Sequence, residues 1–274
     1  MKKLLFLSAI AACSSVHALD KTQYGFDAKF VEPLQFNVID ANFYISASTE
    51  EAEIVEEDRN DDYEWAFYAP SKNYGTGKIE QFSLGANNNY NGELNPIVLI
   101  GHDHVNCQND DKTTSSTIIF NAYGKLESIS NNWANSRNYS YGGEACNYQN
   151  KLSKRPVWLN LITLNTKAVD SFFKLNKAKE KDISLTYNSD QFKTIRFKPT
   201  KDTLDPFRKM VHQFEYMRSV SPRGKITYSV MNHLHVCSPA KTYTTRIDFD
   251  QNGKFIEIDE VESKFDAALT SFCK

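Results

Sequence analysis

The sequence predicts an α+β fold: two tandem duplicated modules of mainly antiparallel sheet with a few packed helices, and one disulfide in each module. Three observations lead there. A His-x-His stretch followed by a cysteine is written twice, as "IGHDHVNC" (100–107) and "MNHLHVC" (231–237). A strand–turn–strand pattern follows each copy. Four cysteines beyond the N-terminal segment fall two to each half.

The repeat is the strongest signal, and self-similarity changes what any motif inside it means. His102 overlays His233, His104 overlays His235, and Cys107 overlays Cys237 with one gap. Further on, "STIIFNAYGKLESI" (116–129) lies over "TRIDFDQNGKFIEI" (245–258). That overlay matches Phe120 to Phe249, Gly124-Lys125 to Gly253-Lys254 and Ile129 to Ile258. One more cysteine closes each half, Cys146 and Cys273. The modules are therefore placed at 19–150 and 151–274. Upstream, "FNVIDANFYISAS" (36–48) matches "VWLNLITLNTKAV" (157–169) only in character. The order of the cysteines favours Cys107–Cys146 and Cys237–Cys273 as disulfides. Each closes a loop of about forty residues, worth on the order of 3–4 kcal/mol by loop-closure entropy.

Along the chain, residues 63–69 and 78–84 have strand composition. "VLIGHDHV" (98–105) alternates in the manner of a strand, as does "ITYSVMNHLHV" (226–236). Residues 116–129, 183–198 and 245–258 read as hairpins, and Asn252-Gly253 supplies the strongest turn signal. Helices are expected over 203–219 and 260–273. In the first, Asp205 is the cap, Pro206 the first helical residue, and Phe207, Met210, Val211, Phe214 and Met217 one apolar face. On that helix His212 lies off the apolar face and meets solvent. In the second, Val261, Phe265, Leu269 and Phe272 recur at helical intervals.

Residues 1–18 read as a secretory signal peptide. Lys2 and Lys3 precede a short apolar run, and Val16-x-Ala18 is a small-residue cleavage pattern. "IAAC" (10–13) offers lipidation of Cys13 as the less favoured alternative. Nothing after residue 19 is apolar for long enough to form a transmembrane helix. A chain with 32 basic and 34 acidic side chains loses Lys2 and Lys3 with the signal, which leaves a net charge of −4. That balance argues against nucleic acid as a partner. An even cysteine count in an exported chain fits disulfides and a periplasmic location.

Residues i and i+2 of a strand share a face, so His102 with His104, and His233 with His235, each form a candidate chelating pair. Were four imidazoles to meet between the modules, zinc or copper would suit them. "DFDQNGKFIEID" (248–259) has calcium-loop spacing, but its strand-like flanks favour a plain hairpin turn. The acidic run 50–64 reads as a solvated face. No nucleophile elbow, zinc-protease helix or phosphate loop is present, so no catalytic residues are assigned and an enzyme is not expected. The expectation is an exported periplasmic binding or inhibitor protein that acts by stoichiometric protein binding. In its narrower form it is an immunity protein that neutralises a secreted toxin aimed at the cell envelope, a lipase or a peptidoglycan hydrolase. The alternative is a zinc- or copper-binding protein using the two His-x-His pairs.

Overall fold

In a computed structural model the chain is described over residues 27–37, 54–59, 63–73, 78–87, 97–105, 114–131, 152–201, 209–238 and 240–264. These residues form antiparallel sheets, about 65% of them strand and 10% helix, which corrects the α+β expectation. The first module supplies β1 (Leu34–Phe36), β2 (Ile54–Arg59), β3 (Tyr63–Tyr68), β4 (Ser71–Lys72), β5 (Ile79–Asn87), β6 (Ile97–Val105), β7 (Thr114–Asn121) and β8 (Leu126–Asn131). The second supplies β9 (Ile162–Leu164), β10 (Ile183–Asn188), β11 (Phe192–Phe197), β12 (Thr200–Lys201), β13 (Met210–Val220), β14 (Ile226–Cys237), β15 (Ala240–Asp250) and β16 (Phe255–Lys264). The described helices are α1 (Ala28–Val31) and α2 (Thr166–Phe172), with a 3-10 turn at Val157–Leu161 between them.

The two large sheets repeat each other strand for strand. One runs β2-β3-β5-β6-β7-β8 with β4 on β5; the other runs β10-β11-β13-β14-β15-β16 with β12 on β13. Register breaks between Ile54 and Glu56 in β2, and between Ile183 and Leu185 in β10. It breaks again between Ile119 and Phe120 in β7, and between Asp248 and Phe249 in β15. Bulges set strand bend and twist, so matching bulges give the sheets matching curvature. The Gln81 side chain donates to the Tyr68 carbonyl at 3.1 Å, and Gln213 donates to the Phe197 carbonyl at 3.0 Å. The β7–β8 turn forms because Asn121 Oδ1 accepts from the Tyr123 and Lys125 amides while Gly124 takes a φ of 72°. In the β15–β16 turn, Asp250 Oδ1 accepts from Asn252 and Lys254, and Gly253 takes a φ of 78°. A side-chain oxygen that closes its own turn and a residue free of Cβ strain specify this geometry.

A third, two-stranded sheet joins the modules. β1 pairs antiparallel with β9, with Gln35 opposite Thr163. The Phe36 amide donates to the Gly124 carbonyl at 2.9 Å, and the Leu164 amide donates to the Gly253 carbonyl at 3.0 Å. The structural counterpart of Phe36 is therefore Leu164, seven residues beyond the Val157 at which the upstream sequence resemblance placed it.

The inner faces of the two large sheets close on one hydrophobic core. Phe82, Leu84, Ile100, Ile118 and Phe120 from one sheet join Phe214, Tyr216, Val230, Ile247 and Phe249 from the other. β1, β9 and Trp158 of the 3-10 turn complete it. Sheets buried in this way need no helices between them, which is the physical basis of the all-β outcome.

Both expected long helices are corrected. Met210–Val220 is strand β13, paired along its length with β14. Val211 to Tyr216 is buried at every position, so both faces are covered and the alternation that marks a half-exposed strand is missing. His212, expected in solvent, is 1% exposed on this strand. Residues 203–208, with the expected cap Asp205 and Pro206, lie outside the described residues. Over 260–264 the chain is still β16, paired with β15 as far as Lys264 opposite Lys241; residues 265–273 lie outside the described residues.

Of the four cysteines beyond the N-terminal segment, only Cys237 at the end of β14 is among the described residues. Cys107, Cys146 and Cys273 are not, so the expected pairings Cys107–Cys146 and Cys237–Cys273 reach outside the described fold. The signal peptide and Cys13 also lie outside it. Among the described residues no helix is long and apolar enough to cross a membrane.

Candidate functional site

Strand pairing decides where the histidines go. His102 pairs with Ser116 on one side and Phe82 on the other, and His104 pairs with Thr114 and Glu80. In the second sheet the counterpart of Ser116 is Thr245, and its partner is Asn232 rather than His233. The two His-x-His pairs are thus one residue out of phase. Because side chains alternate across a strand, a one-residue slip exchanges the faces. His102 and His104 turn inward. His233 and His235 turn to the opposite face of their own sheet, away from Val230, Asn232 and Leu234. The structure does not bring the four imidazoles together.

The outward pair is held by its neighbours. His233 Nδ1 lies 2.8 Å from Thr244 Oγ1 and its Nε2 3.0 Å from Glu215 Oε2. His235 Nδ1 lies 2.8 Å from Thr242 Oγ1. Thr194 and Arg196 also donate to Glu215. Burial pushes the Glu215 carboxyl up, but the hydrogen bonds from His233 and Thr194 and the charge of Arg196 outweigh it and hold the group below its usual value.

The inward pair enters a buried charged cluster built from both sheets. Glu80 on β5 stands beside His104, and Asp259 and Glu260 come across from β16. Glu260 Oε1 lies 2.8 Å from His102 Nδ1, and Glu260 Oε2 lies 3.1 Å from His104 Nδ1. His102 Nε2 faces Glu80 Oε2 at 3.4 Å. The guanidinium of Arg155, from the segment joining the modules, embraces Glu80, with Arg155 Nη2 3.0 Å from Oε2, and donates to the Ile256 carbonyl of β16. Ser71 and Asn73 complete the donors to Glu80 at 3.3 and 3.0 Å. One donor atom from each of Glu80, His102 and His104 lies within 4.8 Å of the other two.

Charges in this cluster regulate one another. Burial disfavours the His102 cation, but Glu260 first and Glu80 second raise its pKa to about 10. Burial also opposes ionisation of Glu80, and His102 and Arg155 overcome that and bring it to about 2. Glu260 is held well below the carboxylate range against its own burial, chiefly by His102 and then by His104. At neutral pH Glu80 and Glu260 are therefore anions that clasp His102.

The equivalent corner of the second sheet is different. Glu80 is replaced by His212, His102 by Asn232 and His104 by Leu234, and Leu234 packs with Val236, Tyr243 and Met210. Asn232 Nδ2 donates to the Ile129 carbonyl at 2.6 Å and lies 3.0 Å from His212 Nδ1. The charged cluster belongs to one module only. The sequence points to His102 and His104 but not to Glu80, Arg155 or Glu260, and it offers Asp259 only as the last position of the calcium-like spacing. Glu80 is within reach as the strand partner of His104, whereas Glu260 falls in the expected helix 260–273 and lies instead on β16. The calcium-like spacing at 248–259 is an ordinary turn, with Asp248 accepting from Ser229 at 2.6 Å and Asp250 capping the backbone. A groove of about 570 Å³ lined by Phe30, Pro33, Phe172 and Leu175 lies apart from the cluster and has no histidine or cysteine in its lining.

No protein-family model, no curated protein and no solved structure matches this chain.

Proposed function

We propose that this is an exported binding protein that acts by stoichiometric engagement of a protein partner. The observation that carries the reading is an exposed apolar patch on the β10–β11 hairpin. Leu185 is 39% exposed, Tyr187 53% and Phe192 37%, and the Tyr187 and Phe192 rings lie 5.7 Å apart. Leu185 pairs with Arg196 and Tyr187 with Thr194, so both share the face of the sheet that carries Glu215; Phe192, two residues before Thr194, shares it too. β10 is the terminal strand of its sheet, and a clustered aromatic patch at a sheet edge is the kind of surface a protein partner covers. A secreted toxin directed at the envelope is the narrower version of the partner, with immunity as the role.

Native mass spectrometry of the exported chain tests this. A one-to-one complex with a single protein is expected. The triple variant Leu185→Ser, Tyr187→Ser, Phe192→Ser should lose that partner while its unfolding free energy stays within about 1 kcal/mol of the parent, as for surface changes generally. A wild-type chain that retains no partner, or a triple variant that retains the same one, would sink the reading.

A further inference from the structure

We infer that Glu80, His102 and His104 form a binding site for a divalent metal ion of borderline character, zinc in the first instance, and that Glu260 orients its histidines. This inference goes beyond the partner-binding reading and does not depend on it.

Geometry comes first. The two imidazoles project from one face of β6, and Glu80 stands directly opposite His104 on β5, so three donors converge from two adjacent, fully paired strands. A site on paired strands is rigid, and two histidines with one carboxylate are a zinc donor set that leaves a fourth position. Across the interface Glu260 addresses both Nδ1 atoms, one with each oxygen. A carboxylate at Nδ1 is the usual outer partner of a metal-bound histidine, because it fixes the ring and leaves Nε2 for the ion. His102 Nε2 is the nitrogen that faces Glu80.

Hydrogen bonding gives an independent reason. His104 is 2% exposed; its Nδ1 is turned to Glu260, and its Nε2, the nitrogen left for an ion, meets the Asn73 amide at no closer than 3.5 Å. Asp259 Oδ1 is buried too, and it accepts no hydrogen bond from His104 Nδ1 at 3.5 Å or from the Lys78 ammonium at 3.8 Å. Buried polar atoms are nearly always satisfied, so an imidazole and a carboxylate left this way ask for an explanation, and a bound ion is one. His233 and His235, on the far face of the other sheet, take no part.

The test is titration of zinc into the full exported chain, stripped with chelator, followed by calorimetry and by cobalt(II) substitution. One zinc per chain is expected. His104→Gln should weaken it more than about 100-fold and Glu260→Gln about 10- to 100-fold. The pair His233→Ala, His235→Ala should leave it unchanged. Cobalt(II) in the wild-type chain should show the intense visible bands of a four-coordinate nitrogen–oxygen site, a readout that stands even if a variant fails to fold. No stoichiometric zinc, zinc binding unchanged by His104→Gln in a folded variant, or zinc binding lost with His233 and His235 would each overturn the inference. Tighter binding of copper(II) follows the general order of metal affinities and is compatible with the same ligands.

Discussion

Ser116 and Thr245 are each other's counterparts in the two large sheets, and their hydroxyls meet at 2.8 Å in the core. A pseudo-twofold axis relating the sheets therefore passes between these two oxygens. Asn131 Nδ2 also reaches Thr245 Oγ1, at 3.5 Å. Losing one member of a buried hydrogen bond costs about 1–3 kcal/mol, because the other member stays desolvated; losing both costs less. Thr245→Val strands Ser116 and Asn131 together, whereas Ser116→Ala leaves Thr245 with Asn131. We predict that Thr245→Val is the more destabilising in urea unfolding, and that the double variant is more stable than the two single losses summed. Additive losses would show that the two hydroxyls do not interact.

The joint between the modules rests on two turn glycines, and one of them separates two costs. Gly253 has positive φ, and a Cβ there would stand 1.9 Å from the Leu164 carbonyl of β9. Gly224 has nearly the same φ, 76°, but a Cβ there meets nothing within 4 Å. Gly224→Ala should therefore cost only the left-handed backbone penalty, about 1–2 kcal/mol. Gly253→Ala should cost at least twice as much, since it also pushes β9 off the turn. Equal losses in denaturant midpoint for the two variants would mean that the β9 contact adds nothing.

Hairpins were legible in the sequence because their turn chemistry is local: Asn252-Gly253 needs no distant partner to define it. β6 and β14 were legible from β-branched alternation. β13 was not, because its position in the middle of a sheet and under the core buries both faces. Met210, Val211, Phe214 and Met217 then mimic helical spacing by accident. The site was half legible. His-x-His announces two side chains on one face, but the letters do not carry phase. A shift of one residue between the repeats put one pair in the core and the other outside it. Arg155 and Glu260 were invisible because they belong to the cluster only through folding; Glu260 lies 158 positions from His102 along the chain.

Glu215 makes acid sensitivity testable away from the buried cluster. Its carboxyl lies below the ordinary value of 4.5 in the folded chain, held there against burial by His233, Thr194 and Arg196. A depressed carboxylate contributes stability above its unfolded value and loses it as pH falls through the folded one. Glu215→Gln should thus be less stable than the parent at pH 7, and the gap should shrink as pH falls below 4.5. Urea midpoints measured from pH 7 to pH 3 check the sign. A gap that stays constant or widens towards acid would show that the charge on Glu215 does not stabilise the fold.

Arg155 is the residue whose loss should be felt most. It comes from the segment between the modules, neutralises Glu80 of the first sheet and donates to the Ile256 carbonyl of the second. Its guanidinium centre also lies about equally far from the Phe82 and Phe255 rings, 6.0 and 5.9 Å. Arg155→Met keeps much of the apolar stem but leaves Glu80, which is fully buried, with its charge poorly compensated. Breaking a buried ion pair from one side costs about 3–5 kcal/mol, while removing both charges costs much less. We therefore expect Arg155→Met to destabilise by about that amount and Arg155→Met with Glu80→Gln to recover a good part of it. Chemical denaturation of the two single variants and the double variant completes the cycle. A double variant no more stable than Arg155→Met alone would show that Arg155 acts through Ile256 and the aromatic rings instead of through the Glu80 charge.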